Sequence, residues 1–233
     1  MERRVSATTV PVFHRDHALP PPLLPKPLLR GWTHLVSFPL MVICGIALVA
    51  LPHTSVRDRI ALAIYASGTA TMFGVSALYH RGRWQPPAKA LLQKLDRSAI
   101  FLAIGGGFTP VAAVALDGAQ RTAILIAAWV GSAMGIALQW LPVHRAWRGA
   151  SYIIVSWTAI LVFPQILHRI GGAGFGLLIA GGACYSIGAL TLAVRWPNPW
   201  PSVFGFHEVF HAFTVVASVL QFVAISYAVV PLM

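Results

Sequence analysis

Charge is scarce in this chain: charged residues make up 10% of the 233, and only six are acidic. Soluble domains carry about a quarter, so a water-facing globular body is excluded. Cysteine is nearly missing as well. Cys44 and Cys184 stand alone inside apolar runs without CxxC spacing, which excludes a four-cysteine metal site and leaves them as apolar packing residues. The first 30 residues lack the continuous apolar stretch and small-residue cleavage site of a secretory signal. They carry Arg3 and Arg4, then proline at 20, 21, 22, 25 and 27, and read as a flexible arm. The alternating pattern of a membrane barrel is absent.

What is abundant is apolar sequence, at 57% hydrophobic residues and a mean hydropathy of +0.73. Seven apolar runs, at 33–51, 60–80, 97–116, 121–141, 150–167, 173–194 and 208–232, approach the ~20 residues that a spanning helix needs. Lipid offers the backbone no hydrogen-bond partner, so these runs are expected to be helices. The reading is an all-α, integral membrane bundle of seven transmembrane helices occupying 31–233, preceded by a basic, Pro-rich arm over 1–30.

Basic residues orient the bundle. Arg3, Arg4, Arg15, Lys26, Arg30, Arg81, Arg83, Lys89, Lys94, Arg97, Arg145, Arg148 and Arg195 fall on one side. Only Arg57, Arg59, Arg121 and Arg169 fall on the other, completing the 17. By the positive-inside rule the N-terminus is cytoplasmic and the C-terminus outside. The net charge of +11 then reflects topology and attraction to anionic headgroups, and no nucleic-acid partner is invoked.

Four residues capable of metal or proton chemistry come to that cytoplasmic side. His207 and His211 stand one turn apart on one helical face, a spacing that lets both rings reach one ion. By itself it suits two interfacial histidines equally well. The same stretch matches HExxH, with Glu208 in the general-base place. His80 ends the second run one turn after Ser76, and Asp96 opens the third. Bland alternatives exist for each: a snorkelling boundary residue for His80, a small packing residue for Ser76, an ion pair with Arg97 or Lys94 for Asp96. Topology places the three imidazoles and the carboxylate at one membrane depth. Three imidazoles with an open fourth position form the layout of a catalytic zinc site, where the ion lowers the pKa of bound water to ~7. Asp96 is then placed to hold and deprotonate that water, with Ser76 as a supporting hydrogen-bond donor.

Three segments carry a family resemblance: Ser76-Ala77-Leu78-Tyr79-His80-Arg81; Asp96-Arg97-Ser98-Ala99-Ile100 with Gly107-Phe108-Thr109-Pro110; and Gly205-Phe206-His207-Glu208-Val209-Phe210-His211. Together they resemble the hemolysin III family and its relatives, the progestin and adipoQ receptors. The resemblance implies a seven-helix bundle with zinc held by His80, His207 and His211, and a water between zinc and Asp96. It implies no role for Glu208. It further implies action on lipids in the cell membrane.

The expected function is therefore that of a zinc-dependent membrane hydrolase of lipid amide or ester bonds, with a membrane lipid as substrate or ligand. A non-enzymatic lipid sensor with structural zinc is the alternative, and a cytolytic membrane protein a further one. Gly105-Gly106-Gly107 is read as permitting close helix approach rather than as a phosphate loop. Tryptophans 32, 84, 140, 147, 196 and 200 are read as interfacial anchors. His34, His53, His144 and His168 are read as span-end residues without a partner set.

Overall fold

The computed structural model describes residues 26–52 and 54–233, so most of the expected arm, and His53, lie outside the described residues. The described residues form an all-helical bundle: α1 (Trp32–Val49), α2 (Val56–Arg81), α3 (Pro86–Ala115), α4 (Gly118–Trp140), α5 (Arg145–Ser156), α6 (Phe163–Val194) and α7 (Phe206–Ala224). No strand occurs among them; the one β-bridge, Trp200 with Phe204, is isolated in the turn before α7. Short 3₁₀ and π turns continue α5 and α7.

Helix starts follow from local chemistry. Ser55 caps α2 by accepting the Asp58 N–H at 3.2 Å, and Pro86 stands where a helix's first N–H has no partner anyway. The stretch Ala88 to Leu95 is the first part of the 30-residue α3. At ~1.5 Å per residue that helix outruns a ~30 Å hydrocarbon core, so its basic first turns project beyond it.

Among the described residues, six segments are long and apolar enough to cross a membrane: Trp32–Val49, Val56–Arg81, Pro86–Ala115, Gly118–Trp140, Arg145–Val194 and Phe206–Leu232. The expected fifth and sixth runs share the 50-residue segment Arg145–Val194. That segment is broken at Gly171, whose φ of 75° and ψ of 166° lie outside helical geometry.

Successive helices pack as neighbours, α7 returns against α1, and α3 runs through the middle. The glycines of α2 and α3 let the backbones meet. A Cβ on Gly68 would stand 2.4 Å from the Leu102 carbonyl oxygen, and one on Gly106 3.0 Å from that of Ile64. The close-approach reading of the Gly105–Gly107 run holds. This tight α2–α3 pairing sets the relative height of His80 and Asp96.

Candidate metal centre

His80 sits in the last turn of α2, and His207 and His211 in the first turns of α7. Their ligand-capable nitrogens lie within 4.8 Å of one another. His80 Nε2 and His207 Nε2 are 3.2 Å apart, close to the ~3.3 Å that two ligands of a tetrahedral ion impose at bond lengths of ~2.0–2.1 Å. His80 and His211 are buried, His207 is half-buried, and His211 Nδ1 has no hydrogen-bond partner among the described residues. The three rings meet edge to face or tilted, with centroids 4.6–5.0 Å apart, so their edges converge rather than stack. This donor set fits a metal ion, and three imidazoles suit a borderline-soft one.

Asp96 lies beside this cluster, its Oδ2 3.8 Å from His80 Nε2. That is too long for a hydrogen bond. Ser76, buried one turn before His80, faces the Asp96 carboxylate. The alternative ion pairs are not formed among the described residues: Lys94 lies over the Trp140 ring at 5.1 Å, and the one basic side chain within 4 Å of the Asp96 carboxylate is His80.

Glu208 has a different task from the one HExxH offers. Its side chain is 1% exposed; one carboxylate oxygen accepts from Arg30 Nε and the other from the Gly205 N–H at 2.9 Å. Both oxygens are thus engaged, one across the bundle and one in capping α7.

The segment leading into α1 forms a wall of the centre, which the reading of 1–30 as an arm did not anticipate. Leu28 and Leu29 donate backbone hydrogen bonds to the Ser202 and Val203 carbonyls at 3.0 Å. Arg30 meets Glu208. Gly31, at φ 79°, leaves no room for a side chain, because a Cβ there would be 2.6 Å from His80 Cβ. Trp32 stacks under the Arg81 guanidinium at 4.5 Å.

His34, expected to lack partners, is buried and stacked on His211, with centroids 3.8 Å apart and planes 8° apart. One signal for it was available: it opens a span at the same membrane side as His80 and His207. Of the other unassigned histidines, His144 accepts the Ala146 N–H at the start of α5 and His168 is exposed on α6.

A family model described as haemolysin-III related matches residues 23–222. The chain belongs to the haemolysin-III family. Among curated relatives it is 28% identical to Hemolysin-3 of Bacillus cereus over 204 residues, spanning 87% of this chain and 89% of the relative. It is 25% identical to the Hemolysin-3 homolog of Bacillus subtilis (strain 168) over 195 residues, spanning 83% and 87%. With its apolar helices, this haemolysin-III protein is a multi-pass membrane protein carrying a histidine cluster able to bind a metal ion.

Proposed function

We propose that this haemolysin-III protein is a zinc-dependent hydrolase of lipid amide or ester bonds, acting in the cell membrane and contributing to its lipid balance. The observation that carries the reading is the convergence of His80, His207 and His211 within 4.8 Å, with the Asp96 carboxylate 3.8 Å from His80 Nε2. A carboxylate that neither pairs with Arg97 or Lys94 nor joins the ligand group is available to move a proton.

When bound, zinc supplies Lewis acidity, polarising a carbonyl and acidifying a water. His80, His207 and His211 hold the ion. Asp96 orients the attacking water, takes its proton and passes it to the leaving group, so that water adds across the acyl bond and yields a carboxylic acid and an amine or alcohol. Ser76 fixes the Asp96 carboxylate by hydrogen bonding. Glu208 takes no part, being committed to Arg30 and Gly205.

The proposed topology is seven spans, with a cytoplasmic N-terminus and an outer C-terminus. Fifty residues of straight helix would run ~75 Å, more than twice a ~30 Å core, so Arg145–Val194 crosses twice with its break at Gly171. The excess of Lys and Arg beside α1, α2 and α3 supports the orientation, and the centre then opens to the cytoplasm.

Elemental mass spectrometry on detergent-purified protein tests the site: about one zinc per chain in the wild type, lost in the His207→Ala/His211→Ala double variant. A screen of lipid amides and esters, wild type beside Asp96→Asn, then tests the chemistry. Zinc without turnover of any lipid would favour the second reading, a sensor with structural metal. One observation favours that alternative: α2 and α7 are not extensively packed neighbours, and His80 and His207 join them.

A further inference from the structure

His34 does something that its place in a membrane helix does not require. It is 3% exposed, gripped between the face of His211, 3.8 Å away and nearly parallel, and Phe73, edge-on at 5.0 Å. Neither ring nitrogen has a hydrogen-bond partner among the described residues. The His211 backbone lies close to the ring without meeting hydrogen-bond geometry. A phenylalanine would stack as well and bring no buried polar atoms, each of which costs about 1–3 kcal/mol when left unpaired. An imidazole at this position therefore calls for a partner beyond the described residues.

That partner is not the ion itself. An imidazole binds metal through a lone pair in the plane of its ring. Two rings 8° from parallel, with centroids 3.8 Å apart, keep their lone pairs in two offset, nearly parallel planes, so a metal in the plane of the His211 ring is out of the plane of His34. Accordingly, the nitrogens that lie within 4.8 Å of one another belong to His80, His207 and His211. A neutral imidazole carries a donor at one nitrogen and an acceptor at the other, so whichever nitrogen engages the centre is matched by a group able to take either role: a water, a hydroxyl or an amide.

We propose that His34 is a positioning residue of the metal centre, fixing the ring plane of His211 by stacking and holding, by hydrogen bond, the small oxygen-bearing group that sits beside the ion. This rests on the metal reading above, and the experiment separates the two.

Cobalt(II)-loaded wild type is compared with His34→Phe and His34→Gln, using chelator competition for metal affinity, the visible cobalt spectrum for ligand geometry, and acetohydroxamate as an oxygen-donor probe. His34→Phe keeps the stack and about one metal per chain but binds acetohydroxamate about tenfold more weakly, in the range seen when outer hydrogen-bond partners of a metal site are lost. His34→Gln, which keeps a donor and an acceptor but not the ring, recovers part of the probe affinity and shows an altered cobalt spectrum.

Wild-type-like probe binding in His34→Phe overturns the proposal while leaving the metal site intact. Wild type that takes up no cobalt overturns both. Should His34→Phe fail to fold, ring-¹⁵N-histidine spectra of the wild type decide: the His34 signals, assigned with His34→Gln, shift when the probe is added, and unmoved signals overturn the proposal.

Discussion

Arg30, at the entry to the first helix, donates to the buried carboxylate of Glu208 in the first turn of the last, across 178 positions of sequence. The contact closes the helix ring beside the histidine cluster and occupies the one residue that could have made His207–His211 a peptidase-like motif. Glu208→Ala leaves the Arg30 guanidinium, partly buried itself, without its counter-charge and removes a cap from α7. A loss on the order of 3 kcal/mol is expected, read as a fall of several degrees in thermal unfolding in detergent. Glu208→Gln keeps a carbonyl oxygen to accept from Gly205 or Arg30, loses less, and leaves the metal content unchanged. Loss of metal from the Gln variant at full stability would contradict the structural role.

The Gly31 position tests how closely α1 must approach the centre. Gly31→Ala adds a Cβ 2.6 Å from that of His80 and asks an L residue to hold a left-handed φ, itself worth ~1–2 kcal/mol. The helix entry must move or His80 must. The expected result is lower thermal stability together with weaker zinc retention against a chelator, whereas Gly172→Ala, which meets nothing within 4 Å, should leave both properties as they are.

Gly68 is the corresponding test of the α2–α3 contact. Its neighbour is a backbone carbonyl, Leu102 O at 2.4 Å from a would-be Cβ, and a backbone cannot swing aside as a side chain can. Gly68→Val is expected to abolish the monodisperse peak in size-exclusion chromatography, with Gly176→Val as the tolerated control, since nothing lies within 4 Å of that position.

Metal removal should loosen the bundle if the ion links α2 to α7. A ligand present at 100 times its dissociation constant stabilises by about 2.7 kcal/mol. Chelation should lower the unfolding temperature of the wild type, and it should have no further effect on His80→Ala or His211→Ala, which start at the lower value. Equal melting with and without chelator would remove the structural part of the metal's role.

Orientation is open to direct measurement. In a background with Cys44 and Cys184 replaced, Arg83→Cys in the turn before α3 and Gln120→Cys in the first turn of α4 place single exposed thiols at opposite ends of α3. A membrane-impermeant maleimide added to intact cells should label the second and not the first. The reverse labelling would invert the topology and place the histidines outside.

The sequence by itself determined the helices, their length class and the identity of the ligand-capable residues, because these are local matters. Lipid leaves an apolar run no option but helix, and an i, i+4 spacing puts His207 and His211 on one face whatever surrounds them. The same locality made Ser76 and His80 legible as a pair, and it allowed Asp96 to be placed at their depth from charge bias alone. Contacts that depend on helix rotation and on backbone distance between remote segments emerge only in the folded bundle. Nothing local in His34 says that its ring lies flat on His211, nor in Arg30 that it ends on Glu208. The break at Gly171 falls in the gap between the apolar runs 150–167 and 173–194, so hydropathy locates it without registering its φ of 75°. Gly31 gathers these cases: its missing side chain has no visible purpose in the sequence and becomes intelligible only where the His80 Cβ takes up its space.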